Sequence, residues 1–226
     1  MAATSYNSPR RREAAALTRQ AILDAARGLF VDHGYVATTI HDIASAARVA
    51  TGTVYASVGG KPQLLHELIA STTEDARRRG PADVVATSAD PGEVLEGCVA
   101  GIRLAVQEYG DIAELVLRTA HVDANAAEAA ALAEEGFRRE LGAIATRLEA
   151  LGALNGSVER AVDVLAYYLG YSSWRRLVLD FGWSHDEAQA WLGRQIADAL
   201  IVSGAPAAPA ASGVPAAPAV PGDARD

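Results

Sequence analysis

The stretch Ile43 to Lys61, IASAARVATGTVYASVGGK, decides how this chain is read. It divides into two short helical runs, "DIASAAR" and "VATGTVYASV", with a tight turn between them and a Gly-Gly stop at Gly59 and Gly60. The face of the second run opens with Thr51, Gly52, Thr53 and Tyr55, all small or hydroxyl-bearing, and Lys61 follows directly after the stop. Two short helices behind a longer one that carries a small apolar core make a helix-turn-helix. In that geometry the second helix enters the major groove, and its first residues meet base edges and phosphates. Small side chains allow close backbone approach, and hydroxyls donate to phosphate oxygens without a large charge.

Charge is distributed to match. The chain of 226 residues carries a formal net charge of −8. Up to Lys61, seven basic residues (Arg10, Arg11, Arg12, Arg19, Arg27, Arg48, Lys61) stand against four acidic ones (Glu13, Asp24, Asp32, Asp42), a balance of +3 that leaves −11 for the remainder. The first quarter attracts a polyanion and the rest repels one, so overall acidity does not exclude DNA.

Working outward, helical periodicity runs through nearly every segment, and no strand alternation is convincing. Leu17, Ala21, Ala25, Leu29 and Phe30 form one apolar face that stops at Gly34. "TIHD" then supplies a capping hydroxyl at Thr39 with Asp42 three residues on, opening the short helix that ends near Ala47. Pro62 suits the first turn of a long helix toward Arg77 to Gly80. After a break at "PADVVATSADPG", the pattern predicts a helix from Glu93 to Glu108 with a turn at Gly110, a capping signal at "DIAE" (Asp111 to Glu114), and a helix carrying Phe137, Leu141, Ile144, Leu148 and Leu151 up to Gly152. A further helix is expected from Val158 to Phe181, and a last one from Asp186 to about Val202, opened by the capping box "SHDE" at Ser184 to Glu187. From Gly204 the Ala/Pro-rich tail has five prolines and three glycines in 23 residues and reads as disordered.

The resulting expectation is an all-α chain of about nine helices. A basic arm at residues 1–12, read as disordered, precedes a helix-turn-helix DNA-binding domain at 13–61. A helical effector-binding and dimerisation bundle at 62–203 and the tail at 204–226 follow. With 50% hydrophobic residues the chain can bury a sizeable core. Cys98 is the single cysteine, which excludes an intrachain disulfide and speaks against a thiolate metal site. No leader-like apolar segment is seen at the start, and no apolar run approaches the roughly 18 residues of a membrane span, so the expected location is the cytoplasm and no membrane partner is expected. No metal and no cofactor are expected either.

The first 65 or so residues resemble the DNA-binding domain of the TetR family of bacterial repressors. The likeness is carried by "TRQAILDAARGLF" from Thr18, "GYVATTIHDIASAA" from Gly34 and "GTVYASVGGKPQLL" from Gly52. It implies an all-helical regulatory domain whose last two helices form a four-helix dimer interface, a homodimer on palindromic double-stranded operator DNA, and release by an unknown small-molecule effector. Carried over position by position, it implies DNA contacts at Thr18, Thr39, Arg48, Ala50, Thr51, Gly52, Thr53, Tyr55 and Lys61. The chain departs from the pattern at four places: Arg48 replaces the usual turn glycine, Ala50 the usual capping serine, Val58 a phenylalanine, and Ala56 a polar or aromatic residue. Arg48 therefore either avoids positive φ or bears a cost of about 1 kcal/mol.

Each of these side chains also has a plainer reading. Tyr55 could be core, Lys61 a solvated lysine, and Arg10 to Arg12 a solvated arm rather than a minor-groove contact. His41 reads as a surface residue. In the regulatory part, Tyr167, Tyr171 and Trp174 fall at i, i+4 and i+7, continued by Val178 and Phe181. They line either a pocket or ordinary core, because buried Tyr and Trp need polar partners that a pocket between helices supplies. Tyr109 and His121 are further pocket candidates. An enzyme is not indicated: none of His33, His41, His66, His121 and His185 sits in a Glu-x-x-His pair, and no nucleophile elbow, phosphate loop or zinc spacing occurs. A constitutive DNA-binding or architectural protein without a pocket remains the alternative, and activation is as compatible with the residues as repression.

Overall fold

The computed structural model describes residues 9–79 and 82–202. The expected disordered tail at 204–226 and the first eight residues lie outside the described residues. The order is α1 (Pro9–His33), α2 (Ile40–Ala46), α3 (Thr51–Ser57), α4 (Lys61–Arg79), α5 (Ala82–Thr87), α6 (Pro91–Thr119), α7 (Ala124–Ala150), α8 (Val158–Leu169), α9 (Tyr171–Arg175) running on into a π-helical turn (Arg176–Asp180), and α10 (His185–Leu200). Among the described residues there is no strand; one antiparallel bridge joins Leu154 to Ile201.

Local chemistry sets the helix starts. Thr39 Oγ1 accepts from the Asp42 N–H at 3.2 Å while the Asp42 carboxylate accepts from the Thr39 N–H at 2.9 Å, so two of the orphan donors of α2 are satisfied reciprocally. Ser184 and Glu187 repeat the arrangement at α10. The Asp90 carboxylate accepts from the Gly92 N–H at 2.7 Å, with Pro91 in the first turn of α6.

Two apolar clusters hold the chain together. In the first, Ile22, Ala26 and Phe30 of α1 meet Tyr35, Ile43 of α2, Val54 of α3, and Leu64 and Leu65 of α4. Ile112, Leu115 and Val116 of α6 and Ala126 and Ala129 of α7 close the same cluster. The core of the helix-turn-helix thus extends past Lys61 into the helices that follow. In the second, Val94, Leu141, Leu148, Leu165, Leu169, Trp174, Leu192 and Ile196 join α6, α7, α8, α9 and α10. Burying each large side chain contributes about 1.5–3 kcal/mol.

Several sequence expectations are corrected. Residues Arg10 to Arg12 are part of α1 and exposed there, so the arm is helical from Pro9 onward. The break before Glu93 contains α5. The predicted turn at Gly110 does not form, because α6 continues through it to Thr119. A Cβ at Gly110 would lie 3.1 Å from the Tyr171 ring, so this glycine serves close packing and does not end the helix. The predicted continuous helix from Val158 to Phe181 is instead broken at Gly170, whose ψ of 147° turns the backbone extended. There a Cβ would stand 2.8 Å from the Ala166 carbonyl oxygen, a distance that only glycine avoids.

Candidate nucleic-acid interface and effector cleft

Between α2 and α3 the backbone turns through Arg48, the one non-glycine residue with positive φ (56°) among the described residues. The cost is accepted because the turn is fastened on both sides: the Arg48 N–H donates to the Ser45 carbonyl at 3.1 Å and the Val49 N–H to the Ala44 carbonyl at 2.9 Å. Its side chain is exposed. α3 is anchored by Val54, fully buried, and presents its opposite face outward. Tyr55 is 57% exposed, which removes the core reading for this side chain. Gly52 is exposed with nothing within 4 Å of a built Cβ; Thr51 and Thr53 are half-buried, and Ala50, at the cap position, makes no side-chain cap bond.

The flanking candidates are more committed. Thr18 Oγ1 donates to the Ala14 carbonyl at 2.9 Å, and Thr39 is spent in its capping box. Lys61 is not a free cation: its Nζ donates to the Val36 carbonyl at 3.1 Å and lies 4.6 Å from the centre of the Tyr35 ring. Partial burial lowers its pKa, against the opposing pull of Asp123. Burial, with Asp123 adding to it, pushes the Tyr35 phenol up to about 12. Lys61 therefore fixes the approach to α2 as well as standing beside the presented face.

One residue that the sequence did not single out ties this module together. Arg19 donates to the Ser57 carbonyl at the end of α3 and pairs with Glu67 of α4 at 2.7 Å. Its partners lie 38 and 48 residues away, beyond any local spacing rule.

A profile of the "Bacterial regulatory proteins, tetR family" matches residues 22–68, the span that holds α2, the Arg48 turn and α3. Residues 22–68 are thus a TetR-family DNA-binding segment. That segment supports a DNA-binding transcriptional regulator, and the chain has the all-α fold of TetR-family structures. Among solved structures, an assigned TetR-family regulator from Rhodococcus sp. is 18% identical, with a TM-score of 0.68 over 82% of this chain and 99% of that one. SmeT in complex with triclosan is 18% identical, with a TM-score of 0.67 over 88% and 98%. A transcriptional-regulator candidate from Saccharomonospora viridis, in complex with choline, is 20% identical, with a TM-score of 0.64 over 81% and 97%. No curated protein sequence matches the chain.

In the helices that follow the helix-turn-helix, a cleft of about 320 Å³ opens between α6, α9 and the start of α10. Val106, Gly110, Asp111 and Glu114 of α6 face Tyr171, Trp174, Arg175, Val178, Leu179 and His185. Tyr171 and Trp174 are thus brought together on the cleft wall. The other three candidates are not. Tyr167 is 74% exposed, because the break at Gly170 shifts the helical phase on which the i, i+4, i+7 stripe depended. Tyr109 packs against the Arg27 guanidinium at 5.4 Å, and His121 is exposed in the α6–α7 connection.

Charge in the cleft is organised around two carboxylates. Arg27 of α1 donates to both oxygens of Asp111, at 2.9 and 2.8 Å, and to the Glu108 carbonyl at 2.5 Å. Hydrogen bonding to Asp111 raises the Arg27 pKa further. Glu114 receives Arg118 at 2.6 Å and Arg175 at 3.1 Å. Burial and then Glu114 raise the Tyr171 phenol. Trp174, fully buried, stacks with His185 at 6.5 Å, and its Nε1–H has no acceptor. Asp111 and Glu114 also border a second hollow, of about 430 Å³, that reaches Phe30, Val31 and Gly34 at the end of α1. Among the described residues, no helix is long and apolar enough to cross a membrane.

Proposed function

We propose that the protein is a homodimeric, cytoplasmic repressor that binds a palindromic operator and releases it when a small molecule enters the α6–α9–α10 cleft. One observation carries this reading: the wall of the cleft supplies Asp111, whose carboxylate holds Arg27 of α1, and α1 packs directly on the helix-turn-helix. A change in the cleft therefore reaches the DNA-binding module through one ion pair. Ligand complexes of the similar folds, one with triclosan and one with choline, support a small-molecule ligand for this protein.

Within this reading, Arg48, Thr51, Gly52, Thr53 and Tyr55 form the groove-facing surface, with Thr18, Thr39, Ala50 and Lys61 at its margin. The dimer uses α8 and α10. Tyr167, 74% exposed, meets Tyr168 edge-on at 5.2 Å; Tyr168 meets Trp191 at 6.3 Å, and Trp191 meets Trp183 at 5.8 Å. A run of aromatic rings left partly open suits a self-complementary interface. Two subunits would then set two α3 helices about one DNA turn apart.

The test pairs sedimentation of the free protein with footprinting on the DNA flanking its own gene. A dimer that protects two half-sites related by a two-fold axis is expected, and a compound that raises the melting temperature should also lower occupancy. A monomer at micromolar concentration, or a protected site without two-fold symmetry, would refute the operator arrangement.

A further inference from the structure

The cleft's charge points to the class of its ligand, and this step rests on the effector reading above. We infer that the cleft takes an organic monocation with an apolar body and a hydrogen-bond acceptor, and that the cation competes with Arg27 for the Asp111 carboxylate. Among the lining residues two side chains are carboxylates and one is a guanidinium. The guanidinium is occupied, since Arg175 reaches Glu114 and Asp180, each at 3.1 Å. An anion entering the cleft would meet Asp111 and Glu114, and the one guanidinium on the wall is already paired. A cation meets the Asp111 carboxylate, whose partner Arg27 is not among the lining residues, and the ring of Tyr171, which attracts positive charge.

The Arg27–Asp111 pair is open to such competition. Its side chains are 32% and 35% exposed, so solvent and ligand can reach it without unfolding the core. Val106, Val178 and Leu179 provide an apolar wall for the body of the ligand. Trp174 supplies the second, independent feature: a fully buried indole on the cleft wall whose N–H is unpaired. Unpaired buried donors are uncommon, and an acceptor oxygen on the ligand would satisfy this one. Displacing Arg27 detaches α1 from α6 at that point, which gives the cation a direct effect on the DNA-binding module.

The probes are 4-methoxybenzylamine, 4-methoxybenzyl alcohol and 4-methoxybenzoate, matched in shape and differing in charge, titrated calorimetrically into the full chain. The amine should bind at least tenfold more tightly than the other two, in line with one charge-assisted contact. Asp111→Asn should weaken the amine roughly tenfold and leave the alcohol unchanged. Arg27→Gln should tighten the amine, because the competitor for Asp111 is gone; a purely structural arginine predicts the reverse. Benzoate binding as tight as the amine's, an Asp111→Asn protein unaltered toward the amine, weaker amine binding in Arg27→Gln, or no amine binding at all each overturns the inference. The effector reading survives that failure if the alcohol or the benzoate binds and lowers operator affinity. It falls separately if no compound of a broad metabolite library lowers operator affinity.

Discussion

Replacing Arg48 isolates the cost of the helix-turn-helix turn. At φ 56° an L side chain bears roughly 1–2 kcal/mol that glycine avoids. Glycine gives back about 0.4–1 kcal/mol through the added freedom of its unfolded chain. Because the Arg48 side chain is exposed, and the turn's hydrogen bonds are made by backbone groups that both variants keep, little else changes. Arg48→Gly should therefore exceed Arg48→Ala in stability by about 0.5–1 kcal/mol, a shift of roughly 1–4 °C in melting temperature for a domain of this size. The Ala variant removes the same charge without relieving the turn, so the comparison separates strain from charge. Operator titration completes the assay: if each guanidinium neutralises a phosphate, both variants lose affinity and the slope of log K against log salt becomes shallower by about 0.9 per subunit, about 1.8 for a dimer. A Gly variant no more stable than the Ala variant would refute the strain assignment, and two variants with wild-type salt slopes would remove Arg48 from the DNA surface.

Gly52→Ala, with open space around the added methyl, should leave the free protein as stable or more so, by up to about 1 kcal/mol, yet weaken operator binding if the α3 backbone lies against DNA; unchanged affinity would exclude that approach. Lys61→Ala should lower both melting temperature and affinity, since Nζ holds the Val36 carbonyl; an unaltered salt slope would assign it to structure alone. Trp174→Ala should cost about 3–5 kcal/mol, so Trp174→Phe is the usable variant, keeping the fold while removing the N–H. The folded-state pKa values of Asp42 and Glu187 are depressed, chiefly by hydrogen bonds from Thr39 and Ser184 respectively. Their stabilising effect is thus complete above the ordinary carboxylate range and is lost as pH falls through the folded values, below about 4. An Asp42→Asn, Glu187→Gln protein should show a shallower loss of melting temperature on acidification, and an identical acid profile would contradict the capping argument.

What the sequence disclosed depended on how local the cause was. The two capping boxes, Thr39 with Asp42 and Ser184 with Glu187, were legible because donor and acceptor lie three residues apart. The two glycines were read the wrong way round. Gly110 looked like a stop and lies inside a helix, because what it needs is room for a ring 61 residues away. Gly170 passed as ordinary and breaks one, because its place against the Ala166 carbonyl is set only in the folded chain. The aromatic stripe identified Tyr171 and Trp174 but lost Tyr167 to the same break. Asp111 and Glu114 were read as a capping signal, since a carboxylate on a helix face is ordinarily solvated, and nothing local indicates that Arg27, 84 residues earlier, completes the pair.

The apolar seal that Ile112, Leu115, Val116, Ala126 and Ala129 place over the helix-turn-helix bears on any attempt to re-target the protein. A chimera spliced at Lys61, giving this regulatory half another protein's reading head, would set a foreign surface against five side chains that share a cluster with Ile22, Ala26 and Phe30. The graft would express poorly even with every DNA-facing residue intact. A transplant that carries the matching faces of α6 and α7 with the head keeps the joint native and moves the seam to solvent. In this protein, the portable unit of recognition is larger than the segment that reads DNA.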